Sequence, residues 1–377
     1  MSDARVPSGG SPLRRFRIAH ERELIRVLRV RGPLTRQELI DETGLSRTTL
    51  YAIIGELLEA GAIVESPSRE APRRGRPVSV ISLDPRSSSV VGVEIGRTHI
   101  GVVVANLAHE VIASVSQAFE LERTADEIAR GAIDAVHDAF TENGLSFGRL
   151  DAIVIGIPLF FGGTSEGGEE LQADLGERIG QAFGVQPVFE NNARLVALAE
   201  MQFGSAAGVD DLLYVHLDEG VGGGIVLGRR LIVGPHGRAG ELGHVSVSAE
   251  GPVCWCGGRG CLERYLALSE LSERTGFPIA DLLGAPDLAD RIDEQIGLLA
   301  RVVAGQLSAL DLRVVILGGV LGNVDGVAAR VADHLASIVP AYIRESVEVR
   351  AASLGALGSA RGGIVLSLAG GASAVTD

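Results

Sequence analysis

Gly243-His244 and, ten residues on, Cys254-Trp-Cys256-Gly-Gly-Arg-Gly-Cys261-Leu-Glu263 form the most specific pattern in this 377-residue chain. All three of its cysteines fall inside that stretch. One histidine and three thiols complete a tetrahedral zinc set, and a set with no open position is structural, not catalytic. The intervening glycines allow the tight reversal that carries three sulfurs to one ion. The spacing therefore predicts one structural zinc per chain, on His244, Cys254, Cys256 and Cys261, in a knuckle over 244–263. The competing reading is a group of buried free thiols. Three cysteines cannot build a disulfide framework, and thiolate ligation suits the reducing cytoplasm.

Working outward, Val90 to Val104 reads as two strands joined by a glycine turn, with a third strand over His109 to Ser116. Arg123 to Asn143 has a helical pattern, and Ala152 to Ile157 is a buried strand closed by Pro158. Gly184 to Glu190 gives another strand, which runs into Asn191-Asn192 and a helix through Ala199. Leu212 to Leu217 and Gly223 to Leu227 form a hairpin around Asp218-Glu-Gly-Val-Gly222, and Val314 to Gly319 is a further strand. Strands alternating with helices, and glycines where strands turn, describe a mixed α/β body of two lobes over 88–377. Any one glycine turn could cradle phosphate, but glycine is abundant here, with 50 in the chain.

All 34 basic residues are arginine, so lysine Schiff bases, pyridoxal-phosphate anchoring and a GxxxxGK[ST] phosphate loop are excluded. No apolar run reaches the roughly 18 residues of a membrane span, and the N-terminus has no signal-peptide pattern. The net charge of −14 is unevenly spread. Residues 1–80 hold 14 Arg against 10 acidic residues, while the remainder carries a surplus of 18 negative charges. A small basic head on an acidic body suggests that the head meets a polyanion.

The head, 13–83, supports that. Arg14 to Arg31 reads as an amphipathic helix. Thr35-Arg-Gln-Glu38 is a capping box opening a short helix that stops at Gly44. Ser46 caps a third helix whose Leu50, Ile53, Leu57 and Leu58 recur at helical spacing. Helix, tight turn, helix is the arrangement whose second helix enters the major groove with its first-turn residues on base edges. Strands at Ala62–Glu65 and Val78–Leu83 then flank an arginine-rich loop, a wing suited to narrow minor grooves. The candidate DNA contacts are Thr35, Ser46, Arg47, Thr48, Thr49 and Tyr51, with Arg73, Arg74 and Arg76 in the wing.

Over nearly its whole length the chain resembles the ROK family (repressors, open reading frames, kinases). The segment from Gly243 to Glu263 matches that family's signature, and Ala239-Gly-Glu-Leu-Gly-His244 its sugar-contact motif. Val91 to Thr98 and Asp218 to Gly224 look like its two phosphate turns, and Glu190-Asn-Asn-Ala193 stands where the family writes Glu-Asn-Asp-Ala. The resemblance implies a winged helix-turn-helix followed by a two-lobed, actin-like ATPase body of ribonuclease H type, carrying the zinc site. It implies a cytoplasmic, DNA-binding homodimer or homotetramer acting on an operator. The alternative it leaves open is an ATP-dependent, glucokinase-like sugar kinase carrying a regulatory head.

The departures choose between these. The family's general base is an Asp, and here it is Asn192, which has no proton-accepting charge at neutral pH. Glu219 stands for a Thr in the second phosphate turn, Arg97 for a Gly in the first, and Glu94 for an Asp. These changes predict a repressor of sugar-related genes with a body that no longer transfers phosphate. Asn191, Asn192, Glu241, His244 and Glu263 match the hydroxyl-contact positions and are the candidate contacts for a sugar or sugar-phosphate effector. In the competing reading, Glu241 and Glu263 only brace the knuckle.

Overall fold

The computed structural model describes residues 20–21, 23–28, 31–59, 61–67, 79–84, 89–106, 110–119, 124–144, 150–158 and 165–368. The chain packs as two units, residues 1–90 with 105–112 and 146–151, and residues 91–104, 113–145 and 152–377.

In the first unit, residues 23–28 are helical (α1) and bury Leu24, Val27 and Leu28. Helix α2 (Arg36–Thr43) starts at Thr35 with a complete capping box to Glu38 and ends at Gly44, whose φ of 66° is left-handed. Helix α3 (Arg47–Glu59) follows and buries Leu50, Ile53, Ile54 and Leu57 on one face. Strands β1 (Leu34–Thr35), β2 (Ile63–Pro67) and β3 (Ser79–Leu83) pair antiparallel in the order β1-β3-β2, with Ile63 opposite Leu83 and Pro67 opposite Ser79. Three helices and a small sheet in this order make a winged helix-turn-helix. The wing loop with Arg73, Arg74 and Arg76 lies outside the described residues, as does the start of the first expected helix.

The body holds two five-stranded sheets. One contains β4 (Ser89–Ile95), β5 (His99–Asn106), β6 (Val111–Ala118), β7 (Leu150–Ile157) and β8 (Val188–Asn191), in the order β6-β5-β4-β7-β8. The other contains β9 (Leu212–Leu217), β10 (Val221–Leu227), β11 (Arg230–Ile232), β12 (Val314–Gly318) and β13 (Glu348–Ala351), in the order β11-β10-β9-β12-β13. Both run third, second, first, fourth, fifth, so one lobe topology occurs twice. In the second sheet β9, β12 and β13 are parallel, with Val314 opposite both Leu212 and Glu348. Their cores are Val, Ile and Leu, as an aromatic content of only 4% requires.

Helices α4 (Ala125–Glu142) and α5 (Ser165–Phe183) complete the first lobe, and α6 (Asn192–Phe203) follows β8. After the knuckle come α7 (Glu263–Leu266), α8 (Leu268–Thr275), α9 (Ile279–Leu283), α10 (Leu288–Arg291) and α11 (Asp293–Leu310). Next are α12 (Gly319–Gly322), α13 (Val327–Ile338), α14 (Ala341–Arg344) and α15 (Gly358–Leu368). Helix α15 packs tightly along α6, and a Cβ on Gly362 would lie 1.9 Å from the Leu195 carbonyl oxygen. The sequence reading names no helix over 165–183, because Gly167-Gly168 interrupt its opening turn. The 3.6-residue pattern appears only later, in the buried Leu175 and Ile179.

Candidate metal centre, effector seat and nucleic-acid interface

The knuckle is built by its backbone. The Cys254 amide donates to Gly258 O (2.8 Å) and the Gly257 amide to Cys254 O (3.0 Å), which closes the turn carrying the first two thiols. Gly260, at φ 67°, returns the chain toward Cys261, where a Cβ would lie 1.8 Å from Ser248 O. The ligand atoms of His244, Cys254, Cys256 and Cys261 all lie within 4.8 Å of one another. Cys254 Sγ is 3.7 Å from His244 Nδ1, and Cys256 Sγ is 3.6 Å from Cys261 Sγ. Zn–S bonds near 2.3 Å imply tetrahedral edges of about 3.8 Å, so these residues fit a metal with little adjustment. Burial, with the neighbouring sulfurs, pushes the Cys261 thiol up to about 12. Without a cation the cluster is protonated there, and a dication would displace the protons to gain thiolate ligands.

Beside the knuckle, Glu263 opens α7 with both carboxylate oxygens engaged. Oε2 accepts from the Val221 amide at the start of β10 (3.0 Å), and Oε1 accepts from the Trp255 indole N–H (2.5 Å). Glu241 differs, since its carboxylate makes no hydrogen bond among the described residues. Burial pushes that carboxyl up against the pull of Arg194, and the Glu263 charge adds to the rise. Arg194 is 2% exposed; it pairs with Glu190 (3.2 Å) and donates to Gly237 O (2.6 Å), while its Nε has no partner.

The two asparagines are committed to the scaffold. Asn191 caps α6, its Oδ1 accepting from the Ala193 and Arg194 amides (2.8 and 3.4 Å). Asn192 donates from Nδ2 to Ile95 O at the end of β4 (3.1 Å) and accepts at Oδ1 from the buried Ser359 hydroxyl (2.7 Å). The reverse amide orientation would set two oxygens together. Ser359 N donates to Glu94 (3.2 Å), Glu94 lies 3.5 Å from His99, and His99 meets Ala356 O (3.2 Å). A polar strap therefore ties β4, the β4–β5 turn, α6 and the start of α15. The Glu94 carboxylate raises the His99 pKa against the cost of burial.

At the β9–β10 turn the Asp218 carboxylate accepts from the Glu219 amide (2.9 Å) and from the Val320 amide of α12 (3.1 Å). Glu219 itself is exposed. Free amides are what a phosphate turn offers its ligand, and in this turn two of them already hold a carboxylate.

On the head, Arg47, Thr48 and Tyr51 are exposed along the first turns of α3. The Ser46 and Thr49 hydroxyls bond each other (2.8 Å), and the Thr49 amide donates to Ser46 Oγ (3.2 Å), so both serve the helix start. Thr35 is likewise used in its capping box. The guanidiniums of Arg36 and Arg47 stand 5.4 and 5.6 Å from the Tyr51 ring centroid. Arg36 also forms a two-pronged pair with Glu65, to which Ser79 donates as well, joining α2 to both wing strands. Arg36 and Arg194 escaped the sequence reading. The i,i+4 spacing of Glu190 and Arg194 on one helix turn was the available signal for the second.

Comparison with known proteins fits this geometry. The ROK family profile matches residues 90–369, and a winged helix-turn-helix DNA-binding profile matches 19–64. The chain is 27% identical over 256 residues to the xylose repressor of Bacillus subtilis strain 168, covering 65% of each. It is 26% identical over 249 residues to the DNA-binding transcriptional dual regulator NagC of Escherichia coli K12, covering 64% of this chain and 61% of that protein. Both alignments thus span less than two thirds of the relative. A ROK family transcriptional regulator, described as a homolog of the E. coli MLC protein, shares the fold with a TM-score of 0.76 at 22% identity. That likeness covers 94% of this chain and 96% of the other. A ROK hexokinase from Thermus thermophilus superposes with a TM-score of 0.60 at 27% identity, over 74% and 97%. With its profile matched from the first strand of the body to the last helix, the chain belongs to the ROK family and carries a winged helix-turn-helix at its head.

Proposed function

We propose that this protein is a sequence-specific DNA-binding transcriptional regulator, a repressor of sugar-related genes, whose kinase-like body senses a sugar or sugar phosphate without phosphorylating it. The observation that carries this is the bonding of Asn192. Its side chain is an amide held between a backbone carbonyl and Ser359, with no lone pair basic enough to take a proton from a hydroxyl. Loss of a general base costs about 100- to 10,000-fold in rate. Asp218 on the turn amides opposes a nucleotide phosphate by charge and by occupancy, and Glu219 and Arg97 depart from the family in the same turns.

The division is at 13–83 for the head and 88–377 for the body. The effector contacts are Asn191, Asn192, Glu241, His244 and Glu263, with the unbonded Glu241 the freest acceptor for hydroxyls. The metal is zinc, one per chain. Among the described residues no helix is long and apolar enough to cross a membrane. The compartment we assign is the cytoplasm, where thiol ligands stay reduced. Two copies, or a pair of pairs, would set recognition helices on half-sites about one helical turn apart. An effector acts only by its differential affinity for the DNA-competent and DNA-incompetent arrangements.

A second reading, a sugar kinase with a regulatory head, is favoured by the likeness to the hexokinase. A coupled assay with ATP, magnesium and a panel of hexoses and amino sugars, run beside gel shifts on the native promoter, separates the two. The proposed function predicts a shift and no turnover above blank. Turnover at kinase rates without a shift would reverse the assignment.

A further inference from the structure

The chain has a single tryptophan, Trp255, in the variable position between the first two cysteines of the knuckle. It is 51% exposed, an expensive setting for an indole unless the ring has work at a surface. Two contacts define it. Its ring stands edge-on to His244, with centroids 4.7 Å apart at 86°, and its N–H donates to Glu263 Oε1 at 2.5 Å. The other Glu263 oxygen holds the Val221 amide. A continuous chain of contacts therefore runs from a metal ligand, through the indole, to the carboxylate that the proposed function assigns to the effector.

We propose that Trp255 is a positioning residue that fixes the Glu263 carboxylate and makes its orientation depend on metal occupancy at His244. Cation binding sets the imidazole plane, and a T-shaped neighbour follows that plane because its edge must meet the ring face. The N–H then presents itself to Glu263, leaving the carboxylate's remaining lone pairs aimed at effector hydroxyls. With the metal gone, His244 loses its fixed orientation, the indole loses its seat, and Glu263 keeps only the Val221 amide. This inference rests on Glu263 being an effector contact, while the link from metal to carboxylate stands without it.

One tryptophan gives one indole N–H resonance, which serves as the readout. In the full-length, ¹⁵N-labelled, zinc-loaded protein that proton should lie downfield and exchange slowly, as a donor to a carboxylate does. Stripping the metal with 1,10-phenanthroline should move it to the solvated position and speed its exchange at least about tenfold, and added zinc should restore both. Glu263→Gln should move it with zinc still bound. Trp255→Phe keeps the ring but removes the donor. It should retain about one zinc per chain and an unchanged melting temperature, yet bind the best sugar of a panel (D-xylose, D-glucose, N-acetyl-D-glucosamine, N-acetyl-D-mannosamine) about tenfold more weakly. An indole resonance that ignores both metal removal and Glu263→Gln overturns the proposal, as does equal sugar affinity in Trp255→Phe and wild type. If no sugar binds the wild type, the effector reading of Glu263 falls, and the indole resonance alone decides whether metal positions the carboxylate.

Discussion

Replacing Asn192 by Asp restores the acid that the family uses as a base, and the structure says what that does. The Nδ2 donor to Ile95 O, now 3.1 Å away, becomes an oxygen facing an oxygen, and the Ile95 carbonyl loses its partner. Stranding a buried polar group costs about 1–3 kcal/mol. The new charge also sits beside the Glu94–Ser359 contact, which adds like-charge repulsion. A total of about 2–4 kcal/mol at pH 8 should lower the melting temperature by roughly 5–10 °C in a body of this size. The pH dependence has a definite sign. Facing a carbonyl and a carboxylate, the introduced carboxyl would have a folded pKa above its unfolded value. The penalty is therefore fully present above the folded pKa and fades as pH falls through it, where the protonated acid can donate to Ile95. Thermal melts of both proteins at pH 8 and pH 5 test this, with the gap expected to shrink by more than half. In the coupled assay Asn192→Asp should stay at blank, because Asp218, Glu219 and Arg97 remain in the phosphate turns. Equal stability at pH 8 would refute the strap, and turnover in the range of about 1–100 s⁻¹ typical of kinases would refute the reading of the turns.

Other expectations follow from separate parts of the molecule. Cys256→Ser should lower bound metal below one per chain and depress the melting temperature, and chelation of the wild type should reproduce the drop, as metal analysis and calorimetry will show. Arg47→Ala should cost about 1–3 kcal/mol of binding and flatten base preference at one operator position, read by gel shifts on a substituted series. Arg74→Ala or Arg76→Ala should weaken binding chiefly where A·T tracts flank the site and lower the salt slope by about 1. For His99, whose pKa is raised chiefly by Glu94, the stabilisation is fully present below the unfolded pKa and is lost as pH rises through the folded one. Melting temperature should therefore fall on going from pH 6 to pH 8.5, and His99→Gln should flatten that decline.

Much of the candidate site was legible because its signals are local. Four ligands within eighteen residues, a Thr-x-x-Glu cap and a 3.6-residue apolar period all act over one or two turns, so a linear reading recovers them. The knuckle, the head and the family follow from such patterns alone. Helix α5 shows where that reading stops, since its opening glycines carry no period and only packing against the sheet makes them helical.

What the amino-acid sequence determined by itself was chemistry: a metal set, a groove-reading head, and a carboxamide where a base would stand. What the tertiary structure alone decided was who answers each group. Asn192 finds its partners 97 and 167 residues away, Glu263 meets Val221 across 42, and Asp218 reaches Val320 across 102. Those meetings are fixed by the repeated sheet order and by α15 lying against α6. No side chain announces a distant partner, because a hydrogen bond depends on position in space and only the packed topology supplies it.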